Sequence, residues 1–119
     1  MKIMVVHRQA RIAEEVQLTL KSMITSLRYC DTALDALIAI KNEAFDLIIC
    51  EIELPLVTGI EVVRSLRARQ YNSTTKVVLI SDSPIDKFLG LARALDVTCI
   101  TPGNKLDACL NRHVNNLYQ

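Results

Sequence analysis

An apolar run, LIIC at 47–50, ends on a carboxylate, Glu51. Asp46 precedes the run; Pro55 follows the acid by four residues, Gly59 by eight and Ser81 by thirty. A carboxylate at the mouth of a buried strand can act as a nucleophile, as a ligand for a hard cation or as half of an ion pair. His7 and Arg8 stand directly after another apolar run, KIMVV at 2–6. A histidine works as a ligand or base when a second histidine or a free acid is in reach; His7 has neither in sequence and reads as a packed side chain. Ser81 beside Asp82 has the types of a hydrolytic pair, but no histidine has an evident place beside them. The stretch SDSP therefore reads as a turn or helix cap. His113 falls on the apolar stripe of the last helix and reads as packed or interfacial.

The elements that must position these groups alternate. KIMVV (2–6) is a strand. Ile12, Val16, Leu20, Met23 and Leu27 follow at helical spacing. A weak strand lies near 27–30. Helical character returns over 32–44 with Leu34, Leu37 and Ile38 on one side. LIIC has no alternation, as expected of a strand covered on both faces. Residues 59–69 form a helix with Ile60, Val63 and Leu66 inward, and its basic run RSLRARQ reads as a solvated face. QYNSTT (70–75) reads as a loose loop. KVVLI (76–80) is a strand, Phe88, Leu91, Ala92 and Leu95 mark a helix, VTCIT (97–101) is a strand, and Leu106, Cys109, Leu110, His113, Val114 and Leu117 mark the last helix. Five βα units imply an α/β domain with a doubly wound parallel sheet. Ligands of such sheets bind at the carboxyl ends of the strands. The residues standing there are His7 and Arg8, Cys50 and Glu51, Ser81 and Asp82, and Thr101 and Pro102.

Asp46, the strand, the acid at 51, Pro55, Gly59 and Ser81, taken together in a chain of this element order, resemble the receiver domain of bacterial two-component response regulators over nearly the whole length. The resemblance implies a flavodoxin-like five-stranded sheet in the order 2-1-3-4-5. It also implies a switch in which an aspartate after the third strand takes a phosphoryl group. In the family a Mg²⁺ ion is held by that aspartate and an acidic pair, a lysine contacts the phosphate, and a hydroxyl residue closes over it. Carried onto this chain, the acceptor position is Glu51 and the acidic pair is His7 and Arg8. The lysine position falls at Thr101, Pro102 or Gly103, and the aromatic switch position at Cys99 or Thr98. Lys105 is near but sits at a helix start. Ser81 keeps the hydroxyl.

These departures imply a pseudo-receiver, without catalysis, cofactor or metal, acting through protein contacts. With two acids gone, a cation that dehydrates reluctantly has little to hold it. Glutamate is also longer by one methylene, which displaces the nucleophile by about 1 Å where about half of that matters. Three roles stand open for Glu51: imitation of phospho-aspartate, a structural pair with Arg8, or a solvent-facing acid. The pair is expected because the first and third strands are neighbours in this fold. In the family the face of the fourth helix, fifth strand and fifth helix meets partners or a second copy; here it would hold Phe88, Arg93, Asp96, Asn111 and Asn115. The alternatives are a phosphorelay-competent receiver, or the regulatory domain of a DNA-binding transcription factor whose output domain is absent from this chain.

Composition sets the remaining limits. The 119 residues suit one domain, 1–119, and half are apolar with 4% aromatic, so the core is aliphatic. Fourteen Lys and Arg against thirteen Asp and Glu give no field that would favour nucleic acid or an acidic membrane. No apolar run has the roughly 18 residues of a membrane span, and the run after Met1 is too short for a signal peptide, so a cytoplasmic protein is expected. Cys30, Cys50, Cys99 and Cys109 show no CxxC spacing and read as buried free thiols. A flavin site is not expected, because HRQARI after the first strand has no glycine to cradle a phosphate and nearby aromatics to stack on a flavin are lacking.

Overall fold

A computed structural model describes residues 1–69, 71–83, 85–100, 106–108 and 110–112. Four five-residue strands make the body of a parallel sheet: β1 (Lys2–Val6), β2 (Ser26–Cys30), β3 (Leu47–Glu51) and β4 (Lys76–Ile80). They lie in the order β2-β1-β3-β4, and a three-residue strand, β5 (Thr98–Ile100), pairs with the free side of β4. The helices between them are α1 (Ala10–Thr19), α2 (Ala33–Asn42), α3 (Gly59–Arg67) and α4 (Leu89–Leu95), the last preceded by a 3₁₀ turn over Ile85–Phe88. Residues 106–108 and 110–112 are helical. Among the described residues no helix is long and apolar enough to cross a membrane.

Period-two alternation on buried strands divides the core in two. Met4, Val6, Ile48, Cys50, Val77 and Leu79 point to one face and pack with α2 and α3. Ile3, Val5, Leu47, Ile49, Val78 and Ile80 point to the other and pack with Ile12 and Val16 of α1 and with Leu106 and Leu110. Every residue of β3 is buried, and the run from Leu47 to Cys50 is accordingly apolar throughout before the strand ends on Glu51. Strand β2 is an edge: Ser26 and Arg28 are exposed and only Cys30 is fully covered.

Two helices differ from their sequence patterns. The stripe expected to run through Met23 and Leu27 stops at Thr19; Leu27 lies on β2, and the carbonyl of Met23 accepts from the chain's amino terminus at 2.6 Å. In α2 the large side chains Leu34 and Ile38 are 66% and 53% exposed, and Ala33, Ala36, Ala39 and Ile40 face the core instead. Small residues let that helix lie close to the sheet, a choice that apolar spacing cannot distinguish from its neighbours. Thr32 caps α2 by accepting from the Asp35 N–H, and Thr58 caps α3 by accepting from that of Glu61. The inward residues of α3 are as expected: Ile60, Val63 and Leu66 are buried.

The stretch after α3 is an anchor rather than a loose loop. Asn72 is fully buried. Its Nδ2 donates to the carbonyls of Ile40 (3.0 Å) and Glu43 (2.8 Å), and its Oδ1 accepts from the Phe45 N–H and the Thr75 hydroxyl. This side chain ties the end of α2, the start of β3 and the approach to β4. Arg67 is not part of a solvated face: it donates to the carbonyls of Leu95, Ser73, Thr75 and Asp96, closing the C-terminal end of α4. Replacing Asn72 by alanine leaves several buried groups unpaired, and a loss of about 3 kcal/mol in urea unfolding is expected; a loss below about 1 kcal/mol would mean that water replaces the side chain freely.

Candidate functional site at the carboxyl edge of the sheet

Register sets the site. Val6 pairs with Cys50, and Glu51 with Ile80, so the chain leaving β1 passes beside Glu51. Glu51 is buried to 2% exposure. A buried carboxylate needs compensating donors, and Arg8 supplies three. Its Nε donates to Glu51 Oε1 at 3.0 Å, its Nη2 to Oε2 at 2.7 Å, and its backbone N–H to Oε1 at 3.2 Å. This is the two-pronged guanidinium–carboxylate geometry. The expected pair is therefore present, and Glu51 does not face solvent. The same Nη2 lies 3.7 Å from Asp82 Oδ2. Burial pushes the Glu51 carboxyl up, but the Arg8 hydrogen bonds and the nearby charges outweigh it, and the group sits below its ordinary value.

His7 is buried behind this pair. Its Nδ1 accepts from the Gln9 N–H at 3.0 Å, which places the proton of the neutral ring on Nε2, 3.8 Å from Glu51 Oε2. Burial pushes the imidazole below its usual value even though Glu51 pulls the other way. Protonating Nδ1 would also set it against the Gln9 N–H. His7 is thus a neutral packed side chain. Its carbonyl accepts from the Tyr29 hydroxyl at 2.7 Å, which ties the exit of β1 to the edge strand.

Gly59 explains its own place in the pattern. The α3 N-terminus lies against the end of β3, with the Gly59 N–H donating to the Ile52 carbonyl at 2.9 Å. A Cβ at Gly59 would stand 2.3 Å from the Glu51 carbonyl oxygen and 3.0 Å from Ile52 Cα. Only glycine lets the helix approach the acid's own backbone. The loop between them holds Pro55 and Leu56; the Val57 N–H donates to the Pro55 carbonyl at 2.8 Å, closing a three-residue turn around an exposed Leu56 at φ 69°.

Ser81 is fully buried. Its hydroxyl donates to Glu53 Oε1 at 2.7 Å and accepts from the Ser83 N–H at 3.1 Å, the turn expected of SDSP. The Asp82 N–H donates to the same Glu53 oxygen at 2.7 Å. The other oxygen of Glu53 is buried and has no hydrogen-bond partner among the described residues. Asp82 stands at the carboxyl edge as expected, whereas Glu53 was not among the expected site residues. Carrying the strand alternation two residues past Glu51 would have placed Glu53 on the same side. Thr101, Pro102 and Asn115 lie outside the described residues. Of the expected partner face, Arg93, Asp96 and Asn111 are exposed, whereas Phe88 is half-buried against the core. Cys30 and Cys50 are buried free thiols; burial pushes Cys30 up to about 11 and Cys50 up as well. Neither is poised to react near neutral pH.

The sequence profile of the response regulator receiver domain matches residues 3–96. Among solved structures, the chemotaxis response regulator CheY4 of Vibrio cholerae is similar with a TM-score of 0.77 at 22% identity, over 93% of this chain and 96% of that one. The BeF3-activated receiver domain of DrrB, from Thermotoga maritima, gives 0.81 at 22% identity over 99% and 97%. The receiver domain of the sensor histidine kinase PA1611 from Pseudomonas aeruginosa, which has a magnesium ion in its active-site cleft, gives 0.78 at 14% identity over 97% and 94%. At these identities the likeness is one of fold. No curated protein sequence gives a significant match.

Two outcomes are expected. Gly59→Ala lowers stability although alanine is the better helix former by about 1 kcal/mol, because the methyl meets the Glu51 carbonyl; a thermal midpoint at or above the wild type would contradict the close approach. Arg8→Met removes the guanidinium and raises the Glu51 pKa. In the wild type the lowered pKa makes Glu51 contribute stability above its unfolded value, lost as pH falls through the folded one. The variant's deficit is therefore absent at low pH, where Glu51 is protonated in both proteins, grows as pH rises through the wild type's lowered Glu51 pKa, and levels off above the variant's. Urea midpoints from acid to neutral pH measure it, and a deficit independent of pH would exclude Glu51 as its source.

Proposed function

Because the chain belongs to the response regulator receiver domain family, we propose that it is a two-component signalling module that works without a phosphoryl group, through contacts with other proteins. The observation that carries this is the Arg8–Glu51 pair. A carboxylate acting as nucleophile needs an oxygen free to approach phosphorus. Both oxygens of Glu51 are bonded to Arg8, and the group is buried. The residues present do not fit the divalent cation that receiver domains use. A guanidinium already lies between Glu51 and Asp82, and the imidazole nitrogen of His7 is taken by Gln9. A hard cation wants several carboxylate oxygens and would have to displace a charged group of its own sign.

The domain on this view is not an enzyme, resides in the cytoplasm and keeps its signalling state by an internal ion pair. It docks a protein partner or a second copy of itself, without binding nucleic acid directly. The exposed side chains Arg93, Asp96 and Asn111 support a docking face beyond α4. The test is incubation with Mg²⁺ and a small acyl phosphate, followed by intact mass measurement. No covalent phosphoryl adduct is expected; a stoichiometric gain of one phosphoryl group overturns the proposal.

A further inference from the structure

Two donors from consecutive residues at the end of β4 converge on a single oxygen. The Ser81 hydroxyl and the Asp82 N–H each reach Glu53 Oε1 at 2.7 Å. The Ser83 N–H backs the hydroxyl at 3.1 Å and so orients its proton toward the carboxylate. A hydroxyl and a main-chain N–H aimed at one point are the makings of an oxyanion site, and bonds this short to an ionised group are strong. The hydrogen bonds of the Arg8 guanidinium go to Glu51, at 2.7 and 3.0 Å, and its charge reaches Glu53 only through space. Among the described residues Glu53 Oε2 is buried and has no partner, while Oε1 holds the turn.

We propose that Glu53 is a built-in anion. Its carboxylate fills a hydroxyl-plus-amide site that would otherwise take a free oxyanion of the phosphate class. It thereby latches the β4–α4 turn, and the 3₁₀ turn and α4 that follow, in one setting without any ligand. Glu51 and Glu53 divide the work: the first neutralises Arg8, and the second holds the turn. The inference rests on the proposed function only in taking the face beyond α4 as the output. The latch itself stands on the three bonds.

The experiment follows the backbone amides of Asp82 and Ser83 by nitrogen–proton NMR and hydrogen exchange, in the wild type and in Glu53→Ala, Glu53→Gln and Glu53→Ala/Ser81→Ala. Inorganic phosphate is the probe. In the wild type the Asp82 amide is expected far downfield, slow to exchange and indifferent to phosphate. Glu53→Ala moves it upfield and speeds exchange by roughly tenfold or more, and phosphate restores it saturably. Glu53→Gln, which keeps a neutral acceptor, lies between the two. Removing the Ser81 hydroxyl as well abolishes the restoration. Unchanged Asp82 and Ser83 amides in Glu53→Ala would overturn the latch. A wild type that titrates like the variant, or a loosened turn that phosphate does not restore, would overturn the occupied anion site. Failure of the phosphate-free signalling mode would register instead as a mass gain with an acyl phosphate, which these amides do not report.

Discussion

A carboxylate that is almost wholly withdrawn from water must find a cation, and most of the carboxyl edge of this sheet follows from that requirement. Glu51 sits at the end of the central strand, where the fold itself enforces burial. Arg8 meets it from the neighbouring strand exit with a planar fork and a backbone N–H, and its stem leaves the guanidinium half-exposed. The charge is thus neutralised at the boundary rather than deep inside, where desolvating both partners would cost more.

Charged side chains cross-connect both ends of the sheet, and at the amino end Glu43 pairs with Lys2 and with Arg28. At the carboxyl edge, ionised side chains cross-connect the loops: Arg8 links the β1 exit to Glu51 and approaches Asp82, and Glu53 links the β3 exit to the β4 exit. At the opposite edge, Asn72 is neutral, and Arg67 nearby donates to main-chain carbonyls of the α3–β4 connection and of the α4 end. Between them the two core clusters are mostly aliphatic, with Phe45 buried among them. Polar specificity is thereby kept to the rims, where connections and helix ends leave main-chain groups to satisfy.

Strands β1, β3 and β4 were legible because burial on both faces writes itself as unbroken apolar runs. The approach of Arg8 to Glu51 was legible because adjacent parallel strands in register bring their exits together. What could not be read depends on groups far apart in sequence. Nothing local marks Asn72 as a fourfold-bonded anchor, since its partners come from 27 to 32 residues away for all but Thr75. The inward face of α2 is hidden from the sequence for a different reason: hydrophobicity ranks leucine above alanine, but the face toward the core is formed largely by the smaller side chain. Glu53 lies two residues past the end of β3, where strand periodicity no longer directly marks which side chains turn toward the site.

The interlock of Arg8 with Glu51 also constrains how this sequence can change. Exchanging Arg8 alone for an acid sets two like charges against each other in a site with 2% exposure on one of them. Shortening Glu51 alone to aspartate pulls the carboxylate back from a fork built for the longer arm. Each single step passes through a worse protein, so the two positions form an evolutionary ratchet, and descendants of this chain can vary freely around the pair far more easily than through it.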